Sequence, residues 1–268
     1  VQGAMMFFPV VLDYEDGNPH WRVLAQAGAI TTLCGLCVSM SCSNGKSQGL
    51  ELQKTFLLTT GVWIVLPIFA ALPFVMGATQ SSVVDAIFEA TSGLTTTGST
   101  VISGLDDLPR GLLLWRGLLN WLGGIGIIVV AMVFLPELRV GGMQIFRAES
   151  FDTMGKILPR ATQISGQISI IYIGLTIACF LSYIAVEMSG FDALIHALTT
   201  VATGGFSSHD ASFSAMEGPA EYVASVYMVL AALPFVRFVQ LLNGSAQPIF
   251  NDEQIRGFVA TLAVVIGI

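Results

Sequence analysis

From Thr55 to Gly77 the chain carries no formal charge. As an α-helix, at about 1.5 Å per residue, this stretch would measure roughly 35 Å, enough to cross a hydrocarbon layer of about 30 Å. Comparable apolar blocks cover Val23–Ser43, Gly117–Pro136, Gly166–Val186 and Tyr222–Val236. Charged residues make up 11% of the chain and apolar residues 54%, whereas globular domains carry about 25% charged residues. The pattern predicts an all-α membrane protein that crosses the bilayer several times. Val1–Leu12 has no basic region and no small-residue cleavage site, so it reads as the last turns of a helix and not as a secretory signal. Phe258–Ile268 is apolar over only about half a span. Both ends are those expected of an internal piece of a longer protein.

The net charge of −7 is informative once it is sorted by side. If alternate loops face opposite sides, one side holds Lys46, Lys54, Arg139, Arg147, Lys156, Arg160, Arg237 and Arg256. The other holds Arg22, Arg110 and Arg116. The excess of Lys and Arg makes the first side cytoplasmic. Acidic residues lean the opposite way, among them Asp85, Glu89, Asp106, Asp107, Asp192 and Asp210. A negative outer face concentrates cations, although loops carry polar residues in any case. Cys34, Cys37, Cys42 and Cys179 lie in apolar blocks and read as small hydrophobes. His20, His196 and His209 are scattered, and nothing in their spacing resembles a metalloenzyme.

An internal repeat organises the rest. When the chain is shifted along itself so that Asp85 falls on Asp192, Val84–Gly98 falls on Phe191–Gly205. Asp85/Asp192, Ala86/Ala193, Ala90/Ala197, Thr96/Thr203 and Gly98/Gly205 are then identical. Composition alone gives about one identity over such a stretch. Each copy lies between two long apolar blocks, so the unit is span, short segment, span. Ser82 and Ser189, each three residues before an Asp, carry the pattern that caps a helix N-terminus. Some ten residues later each helix runs into Thr and Gly, too soon to have crossed a bilayer. Non-helical backbone at membrane depth survives only where protein buries it or water lines it. A half-helix followed by a Thr/Gly strand therefore reads as a re-entrant pore loop.

Thr95–Ser99 and Ala202–Phe206 have the make-up of an ion filter. Backbone carbonyls aimed at one axis can replace a hydration shell. Gly permits the backbone angles this requires, and a short helix points its negative end at the axis. The candidate ion-contacting residues are thus Thr95, Thr96, Thr97, Gly98 and Ser99 in the first copy. In the second they are Ala202, Thr203, Gly204, Gly205 and Phe206.

These segments resemble the Trk/Ktr/HKT superfamily of potassium transporters, and specifically the bacterial Trk-type membrane subunit. Leu94–Gly98 and Val201–Phe206 look like its first and second filters, and Trp121–Ile127 like the start of the helix after the first filter. Gly141–Ser150 and Leu158–Ala161 resemble its cytoplasmic link between repeats. The resemblance implies four span–pore-loop–span repeats around one pore, of which two are complete here. Residues 1–43 would end an N-terminal hairpin, 52–136 and 165–243 would be repeats one and two, and 137–164 the cytoplasmic linker. A third repeat would begin at 257–268, with the family's gating segment beyond it. It also implies potassium as the transported ion, with no cofactor bound by this chain. Expected surroundings are the bilayer of the inner, cytoplasmic membrane, a second copy in a homodimer and a cytoplasmic nucleotide-binding regulatory subunit, with no nucleic acid. In this family Gly at the central filter position goes with potassium and Ser with sodium; Gly98 and Gly205 are both Gly.

Several residues carry two readings. Gly123, Gly124 and Gly126 lie inside an apolar block with no preceding strand, so close helix packing is favoured over phosphate binding. Arg116 and Asn120 either support the filter or, for Arg116, snorkel to the interface, as Arg237 would at the inner end. Glu89, opposite His196 in the repeat, either draws cations to the mouth or is buried and hydrogen-bonded. Pro234 is expected to bend or break the closing helix of repeat two. The alternative function is an alternating-access carrier for sodium or another small solute, which calls for ionisable groups within the spans. The blocks hold almost none, and no nucleophile–base pair points to an enzyme.

Overall fold

The computed structural model describes residues 1–43, 52–134, 161–216, 218–242, 244 and 247–267, and these are all helical or irregular, with no strand among them. The inter-repeat link over 137–160, with Arg139, Arg147, Lys156 and Arg160, lies outside the described residues, as does Lys46.

Two short helices, α1 (Gln2–Met5) and α2 (Phe7–Glu15), fold back on the long α3 (Trp21–Cys42). Small residues bring them close: a methyl carbon on Gly28 would lie 3.2 Å from the Gly3 carbonyl oxygen and from Met6 Cβ. The uncharged block Thr55–Gly77 forms α4 (Leu52–Ala70) and α5 (Leu72–Met76). At the joint between them the Ala70 carbonyl accepts from Trp115 Nε1 at 3.0 Å instead of from a turn of helix. Next come the short α6 (Val83–Leu94), a one-turn 3₁₀ segment at Leu105–Asp107, and the long α7 (Arg110–Phe134). The second half repeats the order with α8 (Ala161–Ala185), the short α9 (Gly190–Val201), a 3₁₀ turn at Ser212–Ala215, and α10 (Ala220–Ala232). After α10 come α11 (Phe235–Leu242), α12 (Gln247–Phe250) and α13 (Glu253–Ile266).

Trp21–Cys42, Phe56–Met76 and Gly166–Ala185 are each long and apolar enough to cross a membrane. Their outward faces carry exposed Leu33, Met40, Leu57, Ile64, Ile170 and Leu181, an apolar surface that a soluble monomer rarely shows. Helices α10 and α11 meet the same test as a pair but are bent by 87° at Leu233–Pro234. Pro234 lacks the amide that would continue the helix, and Leu233 before it is extended, with ψ 150°.

Helix α13 starts at Glu253, ahead of the sequence boundary at 257. Asp252 caps it there, accepting from the backbone N–H of Gln254 at 2.8 Å. The other Asp252 oxygen takes Arg237 Nε at 2.6 Å, and Arg237 also reaches Gln240. Arg237 therefore ties α11 to the start of α13.

Helix α7 is the common wall. One apolar core packs Leu24, Phe74, Leu112, Trp115 and Leu119 with Ile195 and Leu198 of α9. A second, around Tyr172, Tyr183, Ala197 and Val201, is sealed by Trp121 of α7. The start of α7 is held by the N-terminal hairpin: buried Asp13 accepts from the Gly111 N–H at 2.6 Å and faces His20 Nδ1 at 3.1 Å. Farther along, Gly123 lies so close to the end of α6 that a methyl carbon would collide with the Leu94 carbonyl, and Gly124 leaves room for the Tyr172 hydroxyl. Close packing is thus what the glycine run does at Gly123 and Gly124, while Gly126 meets Trp63 alone among the described residues, at 4.0 Å.

The contrast between tight and open glycines can be measured. Gly123→Ala is expected to destabilise the protein by about 1–3 kcal/mol through overpacking. Gly174→Ala on α8, where nothing among the described residues lies within 4 Å, is expected to be neutral or to stabilise by up to about 1 kcal/mol. Thermal unfolding in detergent reads the difference.

Candidate functional site

The site is built from the ends of α6 and α9. Ser82 Oγ accepts from the Asp85 N–H at 3.1 Å, and Ser189 Oγ accepts from the Asp192 N–H at 3.2 Å. Both helices then close alike. Thr96 N–H bonds the Gly93 carbonyl at 3.0 Å and Thr97 N–H the Ser92 carbonyl at 2.9 Å. In the second copy Thr203 N–H bonds the Thr200 carbonyl, and Gly204 N–H the Thr199 carbonyl, both at 2.9 Å.

After the closure the backbone enters the left-handed region twice in each copy, at the same repeat positions. Thr96 has φ 55° and Thr203 φ 53°; Gly98 has φ 74° and Gly205 φ 99°. A β-branched residue in that region is strained by about 1–3 kcal/mol and persists only where its surroundings hold it. Gly98 also meets the other copy, since a methyl carbon there would run into the Gly204 carbonyl oxygen. Thr95, Thr97, Ser99, Thr203 and Gly205 are exposed, and Thr96, Gly98 and Gly204 half-buried. The Ala202 and Phe206 side chains are buried, and Phe206 turns toward Gly93 and Arg116, so only backbone at these two positions can face an ion.

Behind the segments lies a buried polar layer. Arg116, 1% exposed, donates from Nε to Glu89 Oε1 at 2.9 Å, from Nη1 to the Ser207 carbonyl at 2.9 Å and from Nη2 to Thr100 Oγ1 at 3.1 Å. Its guanidinium carbon stands 4.4 Å from the Phe206 ring centre. Glu89 also accepts from the Thr100 hydroxyl and from the Val101 N–H. Of the paired readings, snorkelling for Arg116 and cation attraction at the mouth for Glu89 both give way to burial and pairing. At the equivalent place in the second copy His196 donates from Nδ1 to the Asp192 carbonyl at 2.8 Å, and its Nε2 lies 3.1 Å from Ser207 Oγ. Glu89–Thr100 and His196–Ser207 join the same pair of positions in the two copies of the repeat.

Farther out, the loop after α6 is clasped to the second copy. The Asp210 carboxylate accepts from the N–H groups of Gly104 and Leu105 at 2.8 and 3.2 Å. His209 Nδ1 faces Asp106 Oδ1 at 2.5 Å, and Nε2 faces Asp192 Oδ1 at 3.1 Å. Two carboxylates on the two ring nitrogens favour the imidazolium, which alone donates from both. The hydrogen bond to Asp106, aided by the Asp192 charge, holds the His209 pKa above its ordinary value despite partial burial, and the same bond lowers that of Asp106. The sequence places Asp106, Asp192 and Asp210 among the outer acidic residues, Asp192 also in a helix cap, and shows His209 only as one of three scattered histidines. Their pairing crosses the two halves, and the repeat does not link them.

The fold and this site define an all-helical membrane protein in which two short, non-spanning helices bring Thr/Gly segments against each other. Residues 20–259 match the TrkH family model, described as a cation transport protein. The chain belongs to the TrkH family of cation transport proteins. It is 44% identical over 215 residues to the Trk system potassium uptake protein TrkI of Halomonas elongata, covering 80% of this chain and 44% of that protein. It is 38% identical over 265 residues to TrkH of Escherichia coli K12, covering 96% and 54%. The crystal structure of the potassium transporter TrkH from Vibrio parahaemolyticus superposes with a TM-score of 0.83 at 30% identity, over 98% of this chain and 55% of that one. The chain thus spans about half the length of these relatives.

Two outcomes follow from the polar layers. Arg116→Met is expected to destabilise by about 3–5 kcal/mol because it strands a buried Glu89 carboxylate, whereas adding Glu89→Gln is expected to recover part of that loss. Unfolding of both variants in detergent measures it. At the clasp, a raised His209 pKa means that its stabilisation is complete below about 6.5, the ordinary value, and fades as pH rises through the raised one. The melting-temperature gap between wild type and His209→Gln is therefore expected to be widest below pH 6.5 and to close at alkaline pH.

Proposed function

We infer that this chain forms half of a potassium uptake pore whose filter is lined by Thr95–Ser99 and Ala202–Phe206. The observation that carries the reading is the matched backbone: positive φ at Thr96 and Thr203 and at Gly98 and Gly205, with Gly98 set against the Gly204 carbonyl. Strain placed twice at one repeat position, in segments that touch, supports a role for the carbonyls of those segments and not for ordinary loop ends. The C-termini of α6 and α9 add the negative ends of two helix dipoles behind the segments, favourable to a cation. The relatives named as potassium uptake proteins supply the ion.

In this reading residues 52–136 and 165–243 are two pore repeats, 137–164 links them on the cytoplasmic side, and 1–43 closes the N-terminal hairpin. The third repeat begins over 257–268, within α13, whose cap is Asp252. The working unit is a homodimer in the cytoplasmic membrane with a cytoplasmic nucleotide-binding regulatory subunit, as the family resemblance implies. The Glu89–Arg116 pair does not favour an alternating carrier, because both groups are committed to each other and to the backbone of the two segments.

Ser substitutions in the intact transporter test the reading. Gly98→Ser meets both a positive φ and the Gly204 carbonyl, while Gly205→Ser meets a positive φ with nothing among the described residues within 4 Å. Both are expected to weaken the preference for potassium over sodium, Gly98→Ser more, by roughly tenfold for each 1.4 kcal/mol of relative binding lost. Uptake at limiting potassium with sodium as competitor measures this, beside membrane expression. Wild-type selectivity in both well-expressed variants would overturn the filter assignment.

A further inference from the structure

Asn120 lies on α7 one turn beyond Arg116, and its side chain is fully buried. Among the described residues neither its amide nitrogen nor its amide oxygen has a hydrogen-bond partner. Such a group is costly to bury, so an orphaned buried amide calls for a reason beyond packing. Its position supplies one. A methyl carbon built on Gly204 would lie 2.6 Å from Asn120 Cγ and Nδ2 and 2.8 Å from Oδ1, which sets the face of the amide against the Gly204 Cα. The carbonyl of that same residue abuts Gly98 of the other segment. Asn120, the Gly204 peptide and Gly98 thus form one stack running from α7 through the second segment into the first. At the same level Ser92 Oγ is also buried without a partner. Ser92 and Asn120 are the chain neighbours of Gly93 and Leu119, which pack directly on each other.

We propose that Asn120 is a selectivity-determining positioning residue: its amide forms the polar back wall of the second filter segment and sets how closely the Gly204 carbonyl approaches Gly98. The proposal rests on the filter reading and deepens it. Bulk holds the Gly204 backbone in place, and the amide keeps an open donor and acceptor beside it. Leu has the same heavy-atom branching, with a bulkier, non-planar end, but offers neither. Because Leu removes two unpaired polar atoms from a buried site, Asn120→Leu is expected to fold at least as stably as wild type. A purely structural Asn120 would therefore leave transport by that variant unchanged.

The test compares Asn120→Leu and Asn120→Ala with Gly98→Ser in the intact transporter, reading tracer potassium uptake against sodium competition together with melting temperature in detergent. Both Asn120 variants are expected to lower the potassium preference by roughly fivefold or more, seen as a change in KM ratio larger than any change in maximal rate, with Asn120→Leu keeping a wild-type melting temperature. If Gly98→Ser loses selectivity while both Asn120 variants keep it, the positioning role is overturned and the filter reading stands. If Asn120→Ala loses selectivity and Asn120→Leu does not, bulk alone matters and the role of the amide is overturned. If Gly98→Ser also keeps wild-type selectivity, the filter reading falls and takes this proposal with it.

Discussion

A guanidinium buried between two backbones is the interaction on which the rest of this structure depends. Arg116 reaches a carboxylate, a hydroxyl and a carbonyl, and lies over an aromatic ring. Taking such a charge out of water is tolerable only when its donors find good partners. The partners come from α6, from the segment after it and from the segment after α9. The charge can therefore be satisfied only if both candidate segments stand in one relative position. The close approaches along α7, at Gly111, Gly123 and Gly124, bring that helix near enough for the arginine to reach them.

The two halves share a backbone plan but not a polar chemistry. Ser caps, short helices of equal length, matched closing bonds and matched positive φ recur at equivalent positions of the repeat. Behind the segments, however, the first half places Glu89 on Thr100 and the second places His196 on Ser207. Val223 stands where a second copy of Arg116 would be. One arginine serves both halves, which makes α7 a shared wall and the unit built on it asymmetric.

The N-terminal hairpin extends this dependence outward. Asp13 holds the first turn of α7 through Gly111, and Arg110 pairs with Asp16 while lying 4.4 Å from the Phe191 ring centre at the start of α9. The hairpin, α7 and the second short helix are thereby fastened together at one end of the fold. The His209 clasp joins the halves again across their outer loops.

Much of this was legible in the sequence because it is local. Charge-free blocks fix which stretches become long helices, a Ser three residues before an Asp fixes where α6 and α9 begin, and Pro234 fixes a break. The repeat fixes that two segments are equivalent, since equal sequence at equal spacing gives equal local backbone. What the sequence left open was partnership across distance. Arg116 and Glu89 each allowed a solvent-facing and a buried role, Asp106 and Asp210 were only loop charges, and His209 was only a scattered histidine. A side chain's charge and reach are written in its own residue, but whether it meets water or a counter-charge depends on which helix packs on which. The sequence by itself determined the long helices, the Ser caps of α6 and α9 and the equivalence of the two Thr/Gly segments, while the positive φ at Thr96 and Thr203 belongs to the folded chain. Only the tertiary structure, by packing α6 and α9 on the two sides of α7, decided that Arg116 would be buried and that Gly98 would meet Gly204.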